Sequence, residues 1–347
     1  MVAMKDASSC VMPPREAAAF IAESAKDVKI LPDGVEKLAH HLADVMGKNK
    51  HKVNENQLPD FNPKTADRAA VDWVFFIDTL NFSFWSEDER RAFTVRHRGR
   101  DLTGYFSLCA AVNRSLEAGV PLTDPAYYST LTLEKLREHL RGEDGGEMPM
   151  MQERLANIRE AGSVLVEKFS GSFLTCVERS NKSASCLLRL ILDNFPSYRD
   201  ETTYVGRRVA LWKRAQILVA DIWLCCEGKG HGEFHDIDTL TMFADYRIPQ
   251  ALVYFGVLEY SQELLDLLLK GHLFQSGDRK EVEIRGASIW AVELVLSKLR
   301  ALLQTEGAAG VHVNAVMVDF YLWDLIKAKT AEGSSQLPFH HIRCIYY

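Results

Sequence analysis

The sequence predicts a mainly α protein, one compact all-helical domain with a minor β-hairpin. Three observations carry that expectation. Apolar residues recur at helical spacing through long stretches such as Ala66 to Phe76, Lys213 to Trp223 and Ala287 to Leu303. The breaks between such stretches are short and turn-like, as at Pro32-Asp33-Gly34 and Gly307 to Gly310. One segment, Thr94 to Tyr105, alternates polar and apolar residues around Arg98-Gly99-Arg100-Asp101, the pattern of a hairpin.

In chain order, residues 1–12 read as a flexible leader and 13–347 as the domain. Pro13-Pro14-Arg15-Glu16 opens a first helix, because proline suits the first helical position. A second helix follows through Leu38, Leu42 and Val45, and polar Lys48 to Asp60 reads as a loop. Ala66 to Phe76 is apolar on most faces and should be buried nearly all round. Phe82, Phe84 and Trp85 cluster just after it, which suits core packing or the wall of a planar ligand. Leu131 to Phe195 reads as consecutive helices, and Arg207 to Trp212 as a short strand. Lys213 and Arg214 open the next helix against its macrodipole, a placement better explained if they face an anion. Gly256 marks a tight turn between two helices, and the last helix begins near His312.

Composition excludes several classes. A net charge of -6 over 347 residues gives no general pull toward nucleic acid, so direct DNA binding is not expected. No apolar run approaches the roughly 18 residues of a membrane span. The N-terminus lacks the pattern of a secretory signal. The seven cysteines include no CxxC pair, and vicinal Cys225-Cys226 suits buried thiols in a reducing compartment, so a cytoplasmic protein is expected. Adjacent His40-His41 and His340-His341 do not have metal-ligand spacing, and no metal or cofactor motif occurs.

Three clusters remain. Asp245 sits in Thr241-Met-Phe-Ala-Asp-Tyr-Arg247, a carboxylate among apolar and aromatic neighbours, either a turn acid ahead of Pro249 or a group kept for chemistry. Asp319, Phe320 and Asp324 form the second. The two acids lie about 140° apart on a helix, and Phe320 and Asp324 share a face. An aromatic plane with carboxylates suits a heterocycle displaying N–H donors, although a core helix with Asp319 as N-cap and a surface Asp324 fits equally. Lys213, Arg214, Arg247, Arg285 and Arg199 are the third, any two of which could clamp a phosphate. A single acid with aromatic and cationic neighbours suits cleavage of a glycosidic bond in a small-molecule substrate.

Several long motifs stand in order. They are Asp78-Thr-Leu-Asn-Phe-Ser-Phe-Trp85, Tyr105-Phe-Ser-Leu-Cys-Ala-Ala-Val-Asn-Arg114, Lys213-Arg-Ala-Gln-Ile-Leu-Val-Ala-Asp221, Thr241 to Arg247, Glu281-Val-Glu-Ile-Arg-Gly286, Asp319-Phe-Tyr-Leu-Trp-Asp324 and the Arg-Cys-Ile-Tyr-Tyr end. Together they closely resemble the queuosine salvage protein family, the queuosine 5'-phosphate N-glycosylases/hydrolases. The resemblance implies a fold similar to the helix-hairpin-helix DNA glycosylases, and hydrolysis of queuosine 5'-phosphate to queuine for return to tRNA. It matches Asp245 to the catalytic aspartate and Phe243, Asp319, Phe320 and Asp324 to queuine-binding positions. Relatives often carry tyrosine where this chain has Phe320, and a histidine where it has Pro59, with His51 a candidate replacement. A non-catalytic queuine-binding or scaffold protein is the alternative, and a DNA or tRNA base glycosylase is disfavoured by the acidic charge.

Overall fold

The structure, a computed structural model, describes residues 11–47, 61–87, 92–305, 310–333 and 337–347. Pro59 and His51, and most of the leader, lie outside the described residues. Helices dominate, and among the described residues every sheet is two-stranded, so the chain is mainly α as expected. No described helix is long and apolar enough to cross a membrane. The chain gathers into two compact units that interleave in sequence.

The first unit takes its described residues from Met1–Gln57, Asp200–Lys213 and Leu240–Arg343. Its spine is the 27-residue helix Arg279–Thr305, buried along most of its N-terminal half. Helices Pro14–Ser24 and Pro32–Gly47 pack against it. The approach is closest at Gly286, where an added Cβ would stand 2.6 Å from two Ile21 carbons. Proline at the start of Pro14–Ser24 fits its expected role. Two further helices carry side chains of interest below, Ile248–Tyr254 and Ala315–Ala331.

Gly256 holds φ +72, as a tight turn requires, but a strand, Leu258–Tyr260, separates it from the next helix Gln262–Leu269. That strand pairs antiparallel with Val28–Ile30. The interval is therefore helix, turn, strand and helix rather than a bare hairpin turn between helices. Strands Glu201–Tyr204 and Arg207–Ala210 form a second hairpin where the sequence suggests only one strand. Its turn puts Val205 at φ +46 and Gly206 at +74. A β-branched residue in that region is unfavourable, so the usual Asn-Gly signal is absent.

The second unit takes its described residues from Leu58–Arg199, Arg214–Thr239 and Cys344–Tyr347. Helix Arg68–Thr79 is buried from Ala70 onward, as its all-round apolarity predicts, and Asp67 caps it by accepting from the Ala70 N–H. The expected hairpin forms from Thr94–His97 and Arg100–Thr103. After Thr79 the backbone is irregular, and its carbonyls need donors. Two buried arginines supply them. Arg154 donates to Leu80, Phe82 and Ser83 carbonyls and lies 4.4 Å over the Phe82 ring. Arg214 donates to the carbonyls of Asp78, Thr79 and Ser197 and lies over Phe82 and Tyr198. With Phe82 and Trp85 buried, the aromatic cluster after Thr79 is core packing. Cys225 and Cys226 are free thiols at the end of helix Lys213–Cys225.

Gly286→Ala should lower stability by about 1–3 kcal/mol, the usual cost of overpacking. Chemical denaturation reads the loss, and Ile21→Ala in the same chain should relieve part of it, giving a non-additive pair.

Candidate active site

The candidate residues of the first unit meet where the loop 241–247 runs into helix Ile248–Tyr254. Asp245 uses one oxygen as a cap. Its Oδ1 accepts from the N–H of Arg247 at 2.7 Å and of Ile248 at 2.8 Å. Asp245 is therefore a turn acid ahead of Pro249, and the cap uses only one of its two oxygens. Among the described residues Oδ2 makes no hydrogen bond, and the side chain is half-buried. Burial pushes the Asp245 carboxyl up, while Lys213, the two amides and Arg247 pull it down.

The loop is fixed from behind by Arg285, on the long helix. Its Nε donates to the Ala244 carbonyl at 2.9 Å, and its Nη1 and Nη2 fork onto Asp200 at 3.1 and 2.5 Å. Nη1 also reaches Glu281 at 3.2 Å. Arg285 is 2% exposed. Its donors serve the protein, so a phosphate-binding role for Arg285 is not what the geometry offers. Asp200 in turn accepts from the Lys213 N–H at 3.1 Å, and its carbonyl accepts from Leu211 and Trp212. Trp212 is held at φ +47, a left-handed conformation unusual for a bulky residue, immediately before Lys213 opens its helix. One buried ion pair therefore sets both the Ala244–Asp245 peptide and the start of the Lys213 helix.

The expectation that Lys213 faces an anion is met by the protein's own acids. The Lys213 charge lowers both Asp245 and Asp319, which marks it as their neighbour. Arg214 behaves differently: it lies in the interior of the second unit, on backbone carbonyls. Arg199, in that same unit, donates to the carbonyls of Leu192 and Asp193. Arg214 is buried and Arg199 exposed, yet both spend their donors on backbone carbonyls, partners that a residue's letter in a sequence does not reveal.

Asp319 lies in the second turn of Ala315–Ala331 and is 4% exposed. It is not the N-cap, because Asn314 takes that place by accepting from Met317 N–H at 3.0 Å. Its Oδ2 accepts from the Phe243 N–H at 2.8 Å, while the Phe243 carbonyl accepts from Asp245 N–H at 2.7 Å. Burial and the facing charge of Asp245 hold the Asp319 carboxyl well above the ordinary range. Phe243 and Phe320 meet edge to face, ring centroids 5.8 Å apart. Phe243, Asp245, Asp319 and Phe320 thus come together as the motifs suggest.

Asp324 is not a surface acid. It is half-buried, and its Oδ2 is enclosed without a hydrogen-bond partner. Burial raises its carboxyl to about 6 despite nearby Lys327. Lys327 stands one turn on, a cation three residues after an acid on a helix, a spacing legible in the sequence. Burial, with help from Arg247, lowers its ammonium to about 8, and its Nζ stands 4.8 Å over the Trp323 ring. Arg247 lies over Tyr246 and Phe339 and reaches Gln250 at 3.3 Å.

The raised Asp324 makes a prediction with a definite sign. Between about pH 4, where the unfolded carboxyl ionises, and about 6, where the folded one does, the folded state holds the extra proton. Stability of the free protein from this group therefore falls as pH rises through that window. Asp324→Asn should remove that component, so the difference in melting temperature between variant and parent should grow from pH 4 to pH 6 in the variant's favour.

The family model described as queuosine salvage protein matches residues 61–347. Relatives bearing the name queuosine 5'-phosphate N-glycosylase/hydrolase run nearly the full length. The chain is 49% identical to one from Mus musculus over 335 residues, covering 96% of this chain and 98% of the relative. A Bos taurus relative is 49% identical over 339 residues, covering 97% and 99%. One from Nematostella vectensis is 42% identical over 348 residues, covering 98% and 100%. With a family match over most of its length and relatives this similar end to end, the chain belongs to the queuosine salvage protein family.

Proposed function

We propose that this chain hydrolyses the N-glycosidic bond of queuosine 5'-phosphate, releasing queuine for salvage into tRNA. The names carried by its relatives supply the substrate and the reaction. The observation that carries the reading is Asp245: a carboxylate in an apolar setting, tethered through Oδ1 alone. Departure of a base from a ribose leaves cationic character on C1′, and an ionised carboxylate in a water-poor site stabilises it strongly. Asp245 then takes the proton of the water that attacks C1′. Burial raises this carboxyl, and Lys213, the two amides and the Arg247 charge oppose that rise, working toward the ionised form that both tasks need.

Queuine is a 7-deazaguanine with a guanine-like N–H edge and a cationic secondary amine. Phe243 and Phe320 offer apolar faces for its ring. Asp319 and Asp324 offer carboxyl groups to its polar edge and amine, and the enclosed Oδ2 of Asp324 is an acceptor awaiting a donor. Arg214 and Arg285 are bonded internally and Lys213 serves the two acids, so half-buried Arg247 is the cation this reading assigns to the phosphate. Phe320 in place of tyrosine keeps the ring and gives up a hydroxyl.

The substrate is a free nucleotide rather than duplex DNA in this proposal, consistent with a net charge of -6. Its place of action is the cytosol, where buried thiols such as Cys109 and Cys176 stay reduced.

Incubation with queuosine 5'-phosphate, followed by chromatography, should yield queuine and ribose 5-phosphate. Asp245→Asn should lower kcat by about 10³-fold while the nucleotide still raises the melting temperature. Undiminished turnover by that variant sinks the assignment of Asp245. Tight binding with no ribose 5-phosphate from the parent chain would favour a queuine-binding scaffold instead.

A further inference from the structure

Asp319 suits a task beyond the queuine contact proposed above. Its surroundings differ from those of Asp245 in one decisive respect. Asp245 accepts two backbone N–H groups and has Lys213 and Arg247 as cationic neighbours. Asp319 accepts one, from Phe243, has Lys213 in common, and faces Asp245 itself. The two acids are tied through a single residue, since Phe243 donates its N–H to Asp319 and accepts from the N–H of Asp245. Two carboxyl groups held against one residue, Asp319 4% exposed and Asp245 half-buried, share a proton rather than both ionising. The better-served Asp245 keeps the charge and Asp319 keeps the proton.

The leaving group needs such a proton. An ordinary purine can be protonated at N7 to ease its departure. In queuine a carbon bearing the aminomethyl side chain stands there, with no lone pair to protonate, so that route is closed and help must come at another ring acceptor, N3 or O6. Resting on the function proposed above, we propose that Asp319 is the general acid of the reaction, donating its proton to the departing 7-deazaguanine and working with Asp245 as a pair that holds one proton between them.

The step balances. The C1′–N9 bond breaks and its electron pair goes to the base, which takes the Asp319 proton and leaves neutral. Water adds its oxygen to C1′ and passes a proton to Asp245. The pair ends with Asp319 ionised and Asp245 protonated, and transfer of that proton from Asp245 to Asp319 restores the start. The two carboxyls carry one negative charge at rest and again once water has passed its proton to Asp245; between base departure and water attack they carry two, set against the cationic sugar, Lys213 and Arg247.

Two substrates separate this role from simple binding: queuosine 5'-phosphate, whose base needs a proton, and p-nitrophenyl β-ribofuranoside 5-phosphate, whose phenolate leaves without one. The parent chain should cleave both. Its kcat on the nucleotide should fall as pH rises through the Asp319 ionisation, and that alkaline limb should be missing for the p-nitrophenyl substrate. Asp319→Asn should lose about 10²–10³-fold in kcat on the nucleotide and little on the p-nitrophenyl compound. Equal losses on the two substrates, an alkaline limb common to both in the parent chain, or failure of the parent to cleave the p-nitrophenyl substrate would each overturn the proposal. None of these would disturb the N-glycosidase reading, which fails only if the parent releases no queuine. The parent pH profiles decide the matter even if the variant does not fold.

Discussion

The first unit hangs on the ion pair between Arg285 and Asp200. A guanidinium and a carboxylate removed from water gain little net stability unless their remaining hydrogen-bond capacity is met. Here it is met by groups that matter. The Arg285 fork is bidentate on Asp200, its Nε holds the Ala244 carbonyl, and Asp200 holds the Lys213 N–H. The pair therefore acts as a jig more than as a source of stability. It fixes the peptide that presents Asp245 and the helix start that presents Lys213, so the acid and its cationic neighbour have one common reference point. The close crossing at Gly286, the residue after Arg285, keeps the long helix from drifting relative to Ile21.

On that frame the electrostatics follow. Asp245 and Asp319 are both driven upward by burial, and Lys213 is the cation that moderates both. The asymmetry between them comes from backbone donors and neighbours, not from residue type. Asp324, further along the same helix as Asp319, is raised by burial with only Lys327 opposing. A site whose acids are all raised by burial is unfavourable on its own and gains when a donor-rich, cationic base enters. That is the usual trade of stability for function at a binding site.

Much of this was legible in the sequence, for reasons tied to particular residues. The all-round apolarity of Ala66 to Phe76 announced a buried helix, and Arg98-Gly99 announced a hairpin. The acid in Thr241 to Arg247 stood out because its neighbours are apolar. What could not be read was which cations are buried. Arg285 and Arg214 looked like phosphate ligands, yet one is locked on Asp200 and the other on carbonyls of the second unit, partners distant in sequence. Asp319 could have been a cap until Asn314 took that role. The hairpin at Val205-Gly206 was hidden because valine is an unexpected residue at a left-handed position. Lys327 does not stand out in the sequence because a lone helical lysine is usually solvated, whereas here burial lowers its ammonium and its Nζ lies over Trp323.

The claim that the Arg285–Asp200 pair positions the acid is tested most directly by the kcat of Arg285→Lys on queuosine 5'-phosphate, taken below the variant's melting temperature. Lysine keeps the buried positive charge but cannot hold Asp200 with two nitrogens and Ala244 with a third. The account predicts a folded chain whose kcat drops by about 10²-fold, as a displacement of about 1 Å at a reacting group produces. A folded Arg285→Lys chain turning over at the parent rate would contradict it.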